Sequence, residues 1–482
     1  MRGIVTVLIL LCTIPRTVAQ NSAQNVPAEV AVHAAAAKEA ESRNDFPKAV
    51  EQYSLVVKAM PSSAEMQSNL GVVLYFAGDK QRSLEVFERA MQIDPNLFVP
   101  HLFSGFALFQ LSQPARSAQQ LERAIHLRGG DPMAHLWLGY AYLSLGKVSE
   151  ATSQLQIASN LKPDDPDVWY ALGQAYLRAG QEATEKLLSM SADGGRLWQL
   201  TAEQYLMRGD RTEAVKLFEG AAERRPDLAD VRQSITQLGG SIPASTRVES
   251  PAQRSTEDRL YHQAHEDESK AEAAFGRISQ IAPDSYRAHQ VMGNAFAAQG
   301  QSDEAIKEYR AALAMKPDLP ELHAAIGNNL LRVAKPQEAL EEFREELALQ
   351  PFSASACEGV GRVLVSLGRD DEASEVLNRA LKLDRPPLET YRLLGKIELR
   401  RRNYPKAIEL LTHYVTQDPG DSTTWYLLAG AYRGSGATAR MNEAIEHYKQ
   451  TSLDTKQRAH AQMEYKKLGQ DRAEVSTEEQ LP

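Results

Sequence analysis

The densest group of residues able to do chemistry is His262, His265 and Glu266, in the run HQAHE. A helical zinc hydrolase site places two histidines four residues apart with a glutamate beside the first, so that both rings reach one ion. Here the histidines are three apart, the glutamate follows the second, and no third ligand is apparent, so the run reads as a surface helix turn. Asp164-Asp165-Pro166-Asp167 reads as a turn and helix N-cap rather than a calcium loop. Cys357 lies among Ala354, Ala356 and Val360 and reads as a small buried side chain rather than a reactive thiol. There is no Gly-rich phosphate loop and no G-x-S-x-G run. The expectation is therefore no catalytic residue, no metal site and no cofactor, with function carried by a surface.

That surface is set by helices. In residues 286–319, Ala288, Val291, Met292, Ala295 and Phe296 recur at three- and four-residue steps, the period of one helix face. Gly300 tolerates the left-handed conformation that ends a helix. Ser302 or Asp303 is expected to cap a second helix, whose stripe is Ala305, Ile306, Tyr309, Ala312 and Leu313. Lys316-Pro317 ends it, because proline has no amide proton. Gly293, Ala305 and Ala312 fall where the two antiparallel helices would cross closely. Helix stops recur every 34 residues, at Pro61, Pro95, Gly129 and Pro163, and again at Pro283, Pro317, Pro351, Arg385 and Pro419. One hairpin cannot bury both of its faces, whereas stacked copies can, so the period predicts a solenoid.

The chain has 482 residues, too many for a single core, with 43% hydrophobic and 24% charged residues. A formal charge of −9 argues against a general nucleic-acid binder. Residues 1–19 read as a signal peptide: Arg2, an apolar run from Ile4 to Ile14, and Thr17-Val18-Ala19 as a small-residue cleavage site. Export to the periplasm or the outside is expected, with cleavage after Ala19 and no membrane span thereafter. Cys357 is then the one cysteine left, so packing rather than disulfides must hold the fold. Residues 20–28 form a polar lead-in and 29–238 a first repeat array. Residues 239–257, rich in Gly, Ser and Pro, are expected to be a linker or long loop. A degenerate repeat, 258–283, opens a second array running to a capping helix that ends at 468, and 469–482 form an acidic tail.

The repeat resembles the tetratricopeptide-repeat family. Leu70-Gly71, Phe87, Ala90 and Pro95 carry the resemblance, as do Leu138-Gly139, Tyr142, Ala151, Ala158 and Pro163. Trp169, Leu172-Gly173 and Tyr176 follow, and in the second half Gly293, Phe296, Ala305, Tyr309, Ala312 and Pro317, then Trp425, Leu428 and Tyr432. The resemblance implies an all-α, right-handed superhelical solenoid of antiparallel helix hairpins. It also implies that variable positions of each first helix line the concave face and carry recognition. After Gly180 the motif fades and Met190 to Gly195 breaks the helix; the next copy, Trp198 to Pro226 with Tyr205, Ala214, Phe218 and Ala221, arrives about five residues out of phase, and Ala229 to Leu238 is expected to be a capping helix.

In the first array one such position reads Val72, Phe106, Tyr140 and Gln174, and the position three further on reads Tyr75, Phe109, Leu143 and Leu177. This is either a groove for an apolar peptide or helix, or additional core. In the second array the first position reads Asn294, Asn328, Arg362 and Lys396, with Arg332, Arg392 and Arg400 nearby. Asparagines can hold the amides of an extended peptide and arginines its carboxylates; the alternative is ordinary solvated helix surface. The expectation is a non-enzymatic scaffold or adaptor for a protein or peptide partner. An accessory subunit of an envelope enzyme, secretion or polysaccharide system is a second reading, and an unrecognised catalytic site in 181–283 a third.

Overall fold

The computed structural model describes residues 28–452, apart from 191–193, 208, 244–250, 352 and 384–385. The expected signal peptide, nearly all of the lead-in, the capping helix at 456–468, the acidic tail and the stop at Arg385 lie outside the described residues. All regular structure among the described residues is helical. The chain divides into two compact units, residues 1–178 and 179–482.

Unit 1 stacks four hairpins: α1 (Ala28–Ser42) with α2 (Phe46–Ala59), α3 (Ala64–Phe76) with α4 (Lys80–Ile93), α5 (Phe98–Gln110) with α6 (Pro114–Leu127), and α7 (Pro132–Ser144) with α8 (Val148–Leu161). Then comes α9 (Pro166–Met190). Unit 2 contains α10 (Gly195–Met207), α11 (Arg211–Arg224), α12 (Ala229–Leu238) and the long α13 (Pro251–Ile281). The regular hairpins resume with α14 (Tyr286–Ala298) and α15 (Ser302–Met315), α16 (Leu322–Arg332) and α17 (Pro336–Leu349), α18 (Ala354–Ser366) and α19 (Asp370–Ala380), and α20 (Leu388–Arg400) and α21 (Tyr404–Gln417). A last hairpin pairs α22 (Ser422–Gly434) with a helix over 438–452.

Each hairpin turns in the same way. The second residue after the first helix adopts a left-handed conformation at Asn44, Gly78, Ser112 and Gly146 in unit 1, and at Gly209, Gly300, Ala334, Gly368, Arg402 and Gly436 in unit 2. The next amide then reaches back five residues, as Gln301 N does to Phe296 O at 2.9 Å, satisfying a carbonyl the helix end leaves open. Ser302 is the first helical residue rather than the cap; the cap position is Gln301, whose side chain makes no capping bond. The helices cross closely through glycine: a Cβ on Gly293 would lie 2.5 Å from the Tyr309 ring, and one on Gly71 2.4 Å from Phe87.

Successive hairpins are joined by a bond at the expected helix stops. The carbonyls of Pro61, Pro95, Gly129, Pro163 and Pro419 each accept a hydrogen bond from the residue six further on. The donors are Gln67, His101, His135, Trp169 and Trp425, at 2.7–3.2 Å. These side chains differ in shape, but each offers an N–H to a carbonyl that proline-ended helices leave exposed.

Two expected segments differ in the structure, the loop over 239–257 and the degenerate repeat over 258–283. Gly180 stands in register with Gly146 yet lies inside an uninterrupted α9. Its hydrogen in place of a side chain admits α13, since a Cβ there would sit 3.2 Å from the Ala264 carbonyl. The loop expected over 239–257 is helical from Pro251, because proline at a first helical position starts a helix. The expected degenerate repeat 258–283 is the remainder of that single helix rather than a hairpin.

Candidate partner-binding faces

In both units the first helices of successive hairpins pack on one another more closely than the second helices do, so each unit curves with its first helices on the inside. The inner residues of unit 1 are aromatic, and α5 and α7 contain no Asp, Glu, Lys or Arg at all. Phe106 is core rather than groove lining: it is 6% exposed, with its ring centre 5.3 Å from Phe103 and 4.8 Å from Trp137. Tyr75, Phe109 and Tyr140 are half-buried. Phe109 meets Trp137 at 5.6 Å and Tyr140 at 6.2 Å, and Tyr75 meets Phe103 at 5.5 Å. Burial pushes the Tyr75 phenol up to about 12, against a bond from Gln110, so it stays neutral. Trp137 was not among the expected residues. Its register partner Phe103, also a large ring, is the sequence signal that this position fills the gap between inner helices.

Unit 2 is polar at the same register. Asn294 and Asn328 lie on α14 and α16, exposed and half-buried respectively. The Tyr309 hydroxyl donates to Asn294 Oδ1 at 2.9 Å, which fixes that amide's orientation. The helix carrying Asn328 is held at its start by a carboxylate 25 residues away. Glu346, fully buried, accepts from the amides of Glu321 at 2.8 Å and Ala324 at 3.3 Å.

Arg362 and Lys396 come together. They line an open cleft of about 490 Å³ between α18 and α20, with Val365 and Leu393 as its apolar part and Glu358, Glu389 and Arg392 beside them. Arg362 pairs with Glu358 on its own helix. Arg392 is held by both oxygens of Glu389, at 2.6 and 2.8 Å, and reaches Asp421 at 3.4 Å. Lys396 is exposed and has no acidic partner among the described residues. Arg332 and Arg400 do not join this set. They donate to Ala297 O at 2.9 Å and Val365 O at 3.3 Å, closing the carbonyl ends of the preceding inner helices.

The HQAHE run is not an idle surface turn. His265 Nε2 is 2.8 Å from Glu203 on α10, and that bond raises the imidazole above its ordinary value. A partner 62 residues away leaves no local trace in the sequence. His262 is exposed and apart from this pair. Among the described residues no three potential ligands gather as a metal site.

A family model described as tetratricopeptide repeat matches residues 34–97, 105–158 and 324–387, and one described as TPR repeat matches 139–180 and 293–332. The chain is a tetratricopeptide-repeat protein. The matches leave out 181–292, which holds the α10–α11 hairpin, α12 and the long α13. No curated protein matches the chain. Among solved structures, MamA from Desulfovibrio magneticus RS-1 is 17% identical, covering 42% of this chain and 99% of that one, at a TM-score of 0.31. TTC0263, a thermophilic TPR protein of Thermus thermophilus, is 17% identical over 56% of this chain and 100% of its own, at 0.32. The APC/C Cut9–Hcn1 assembly is 15% identical over 91% and 96%, at 0.35.

Proposed function

We propose that this tetratricopeptide-repeat protein is a non-enzymatic scaffold whose inner face in unit 2 holds an extended peptide segment carrying a carboxylate. The observation that carries the reading is Lys396: a cation without an acidic partner among the described residues, in a cleft whose arginines are already paired. Asn294, Asn328, Arg362 and Lys396 stand on successive inner helices. At 8–10 Å per helix step they span roughly 30 Å, the length of about nine extended residues. The asparagines supply amide donors and acceptors for peptide backbone, and Lys396 supplies the charge. The half-exposed rings of Tyr75, Phe109 and Tyr140 in unit 1 suit a separate apolar contact. An array of unstructured peptides of about twelve residues tests this: binding should require an aspartate, a glutamate or a free C-terminus. Equal capture of neutral and acidic peptides would overturn it.

The apolar run at 4–14 supports export as part of the same proposal. Mass spectrometry of the protein from its native cell should find an amino terminus at Gln20; a retained Met1 on soluble cytoplasmic protein would contradict export.

A further inference from the structure

Residues 195–238 have a core of their own. Ala202, Ala214, Phe218, Ala221, Val231 and Ile235 from α10, α11 and α12 form one apolar cluster, covered by Trp198 and Tyr205. A different cluster joins Ala183 and Leu187 of α9 to Leu260, Tyr261 and Ala264 of α13, and the three-helix module adds only Leu200 to it. The joint between module and α13 is therefore mostly polar.

Its centre is Asp258. The Asp258 carboxylate accepts from Arg196 Nε at 2.6 Å and from Arg225 Nη2 at 3.2 Å, so one acidic group on α13 serves two arginines of the module. Arg225 is 1% exposed on its side chain and also reaches Glu257 at 3.3 Å. Arg196 lies over the Tyr261 ring at 4.5 Å. The Tyr261 hydroxyl accepts from Gln199 at 2.7 Å and donates to Glu203 at 2.6 Å. Taking away Asp258 withdraws a carboxylate from both arginines at once: Arg196 keeps Asp230 at 2.6 Å and Arg225 keeps Asp227 at 2.9 Å, both inside the module, so that the arginines' ion pairs to α13 fall to Arg225–Glu257.

We propose that residues 195–238 form a self-contained module that docks on α13 through an ionic latch centred on Asp258 and undocks as one body. The module's apolar core lies on its own side of the joint, so opening the latch does not unfold it. Release bares Leu200 on one side and Leu260 and Tyr261 on the other, a surface that exists only in the open state. The device occupies the stretch where the repeat register shifts and the family matches lapse, which gives that irregularity a role: it inserts a movable element into the array.

Hydrogen exchange of the full chain tests the latch with two variants that each neutralise one carboxylate facing Arg225. Asp258→Asn removes the ion pairs of Arg196 and Arg225 with Asp258 across the joint and leaves Arg225–Glu257. Asp227→Asn removes one made inside the module, where Asp227 meets Arg225 at 2.9 Å. Asp258→Asn should lower protection at the joint, residues 196–203 and 257–265, by at least about ten-fold, leaving the α11 amides and residues 286–434 protected. Asp227→Asn should leave the joint protected. Equal effects of the two variants, loss of protection through α11, or loss throughout unit 2 would overturn the proposal. In wild-type protein under mild denaturant, the joint should open in a step separate from 286–434; a single step for both would also overturn it.

Discussion

At the scale of single residues, the hairpins are defined by what glycine omits and by which side chains offer an N–H. Gly293 was legible as a crossing position from its spacing to Ala305 and Ala312, and the Tyr309 ring fills the space a side chain would take. Gly293→Ala should lower stability by about 1–3 kcal/mol, read as a shift of the denaturant midpoint; an unchanged midpoint would show that the ring moves aside without cost. The residues that cap carbonyls six positions back were legible only in part. Trp169 and Trp425 follow the family pattern, whereas Gln67, His101 and His135 do the same work with different chemistry. A sequence pattern keyed to residue type misses a role defined by a donor atom. Histidine also differs between the units. His101 and His135 face the amides of Gln120 and Gln154, while His289 and His323 face the carboxylates of Glu308 and Glu342, each at 2.7 Å. The bond to Glu342 raises His323 above its ordinary value, so the folded state holds its proton more tightly than the unfolded state. The stability this contributes is complete below about pH 6.5 and is lost as pH rises through the raised value. Unit 2 should accordingly unfold more easily at pH 8 than at pH 6, and Glu342→Gln should shrink that difference; an unaltered pH dependence in the variant would remove His323 as its source.

At the scale of elements, the regular hairpins could be read from a 34-residue period because their turns are local. Each turn needs one left-handed residue and one back-reaching amide, both fixed by a few neighbouring residues. Gly180 shows that a glycine in register serves two purposes in such a fold. In the turns it supplies left-handed backbone; in α9 it supplies close approach to Ala264, and Ala183 and Leu187 carry the apolar stripe onward. Pro251 misled for a related reason, since the same residue that breaks a helix interior starts one at its first position. Both Gly180 and the 251–281 helix fall where a segment's partner is distant in sequence. The same distance hid the Glu346 cap of α16 and the Asp258 joint.

At the scale of the whole molecule, the candidate faces follow from composition at a single register. An uncharged, aromatic inner surface packs largely upon itself, which places Phe106 in the core and leaves Tyr75, Phe109 and Tyr140 at its edge. A polar inner surface pairs its charges where it can, and in the cleft between α18 and α20 Lys396 is the cation left over. The alternation of these chemistries was visible in sequence. Which arginines were already engaged was not, because Arg332 and Arg400 bond carbonyls about one repeat away. The most direct measurement of the central claim is a titration of an acidic extended peptide against wild-type protein and Lys396→Glu, with melting curves recorded alongside. Binding should be at least about ten-fold weaker in the variant at an unchanged melting temperature; undiminished affinity would contradict a carboxylate held at Lys396.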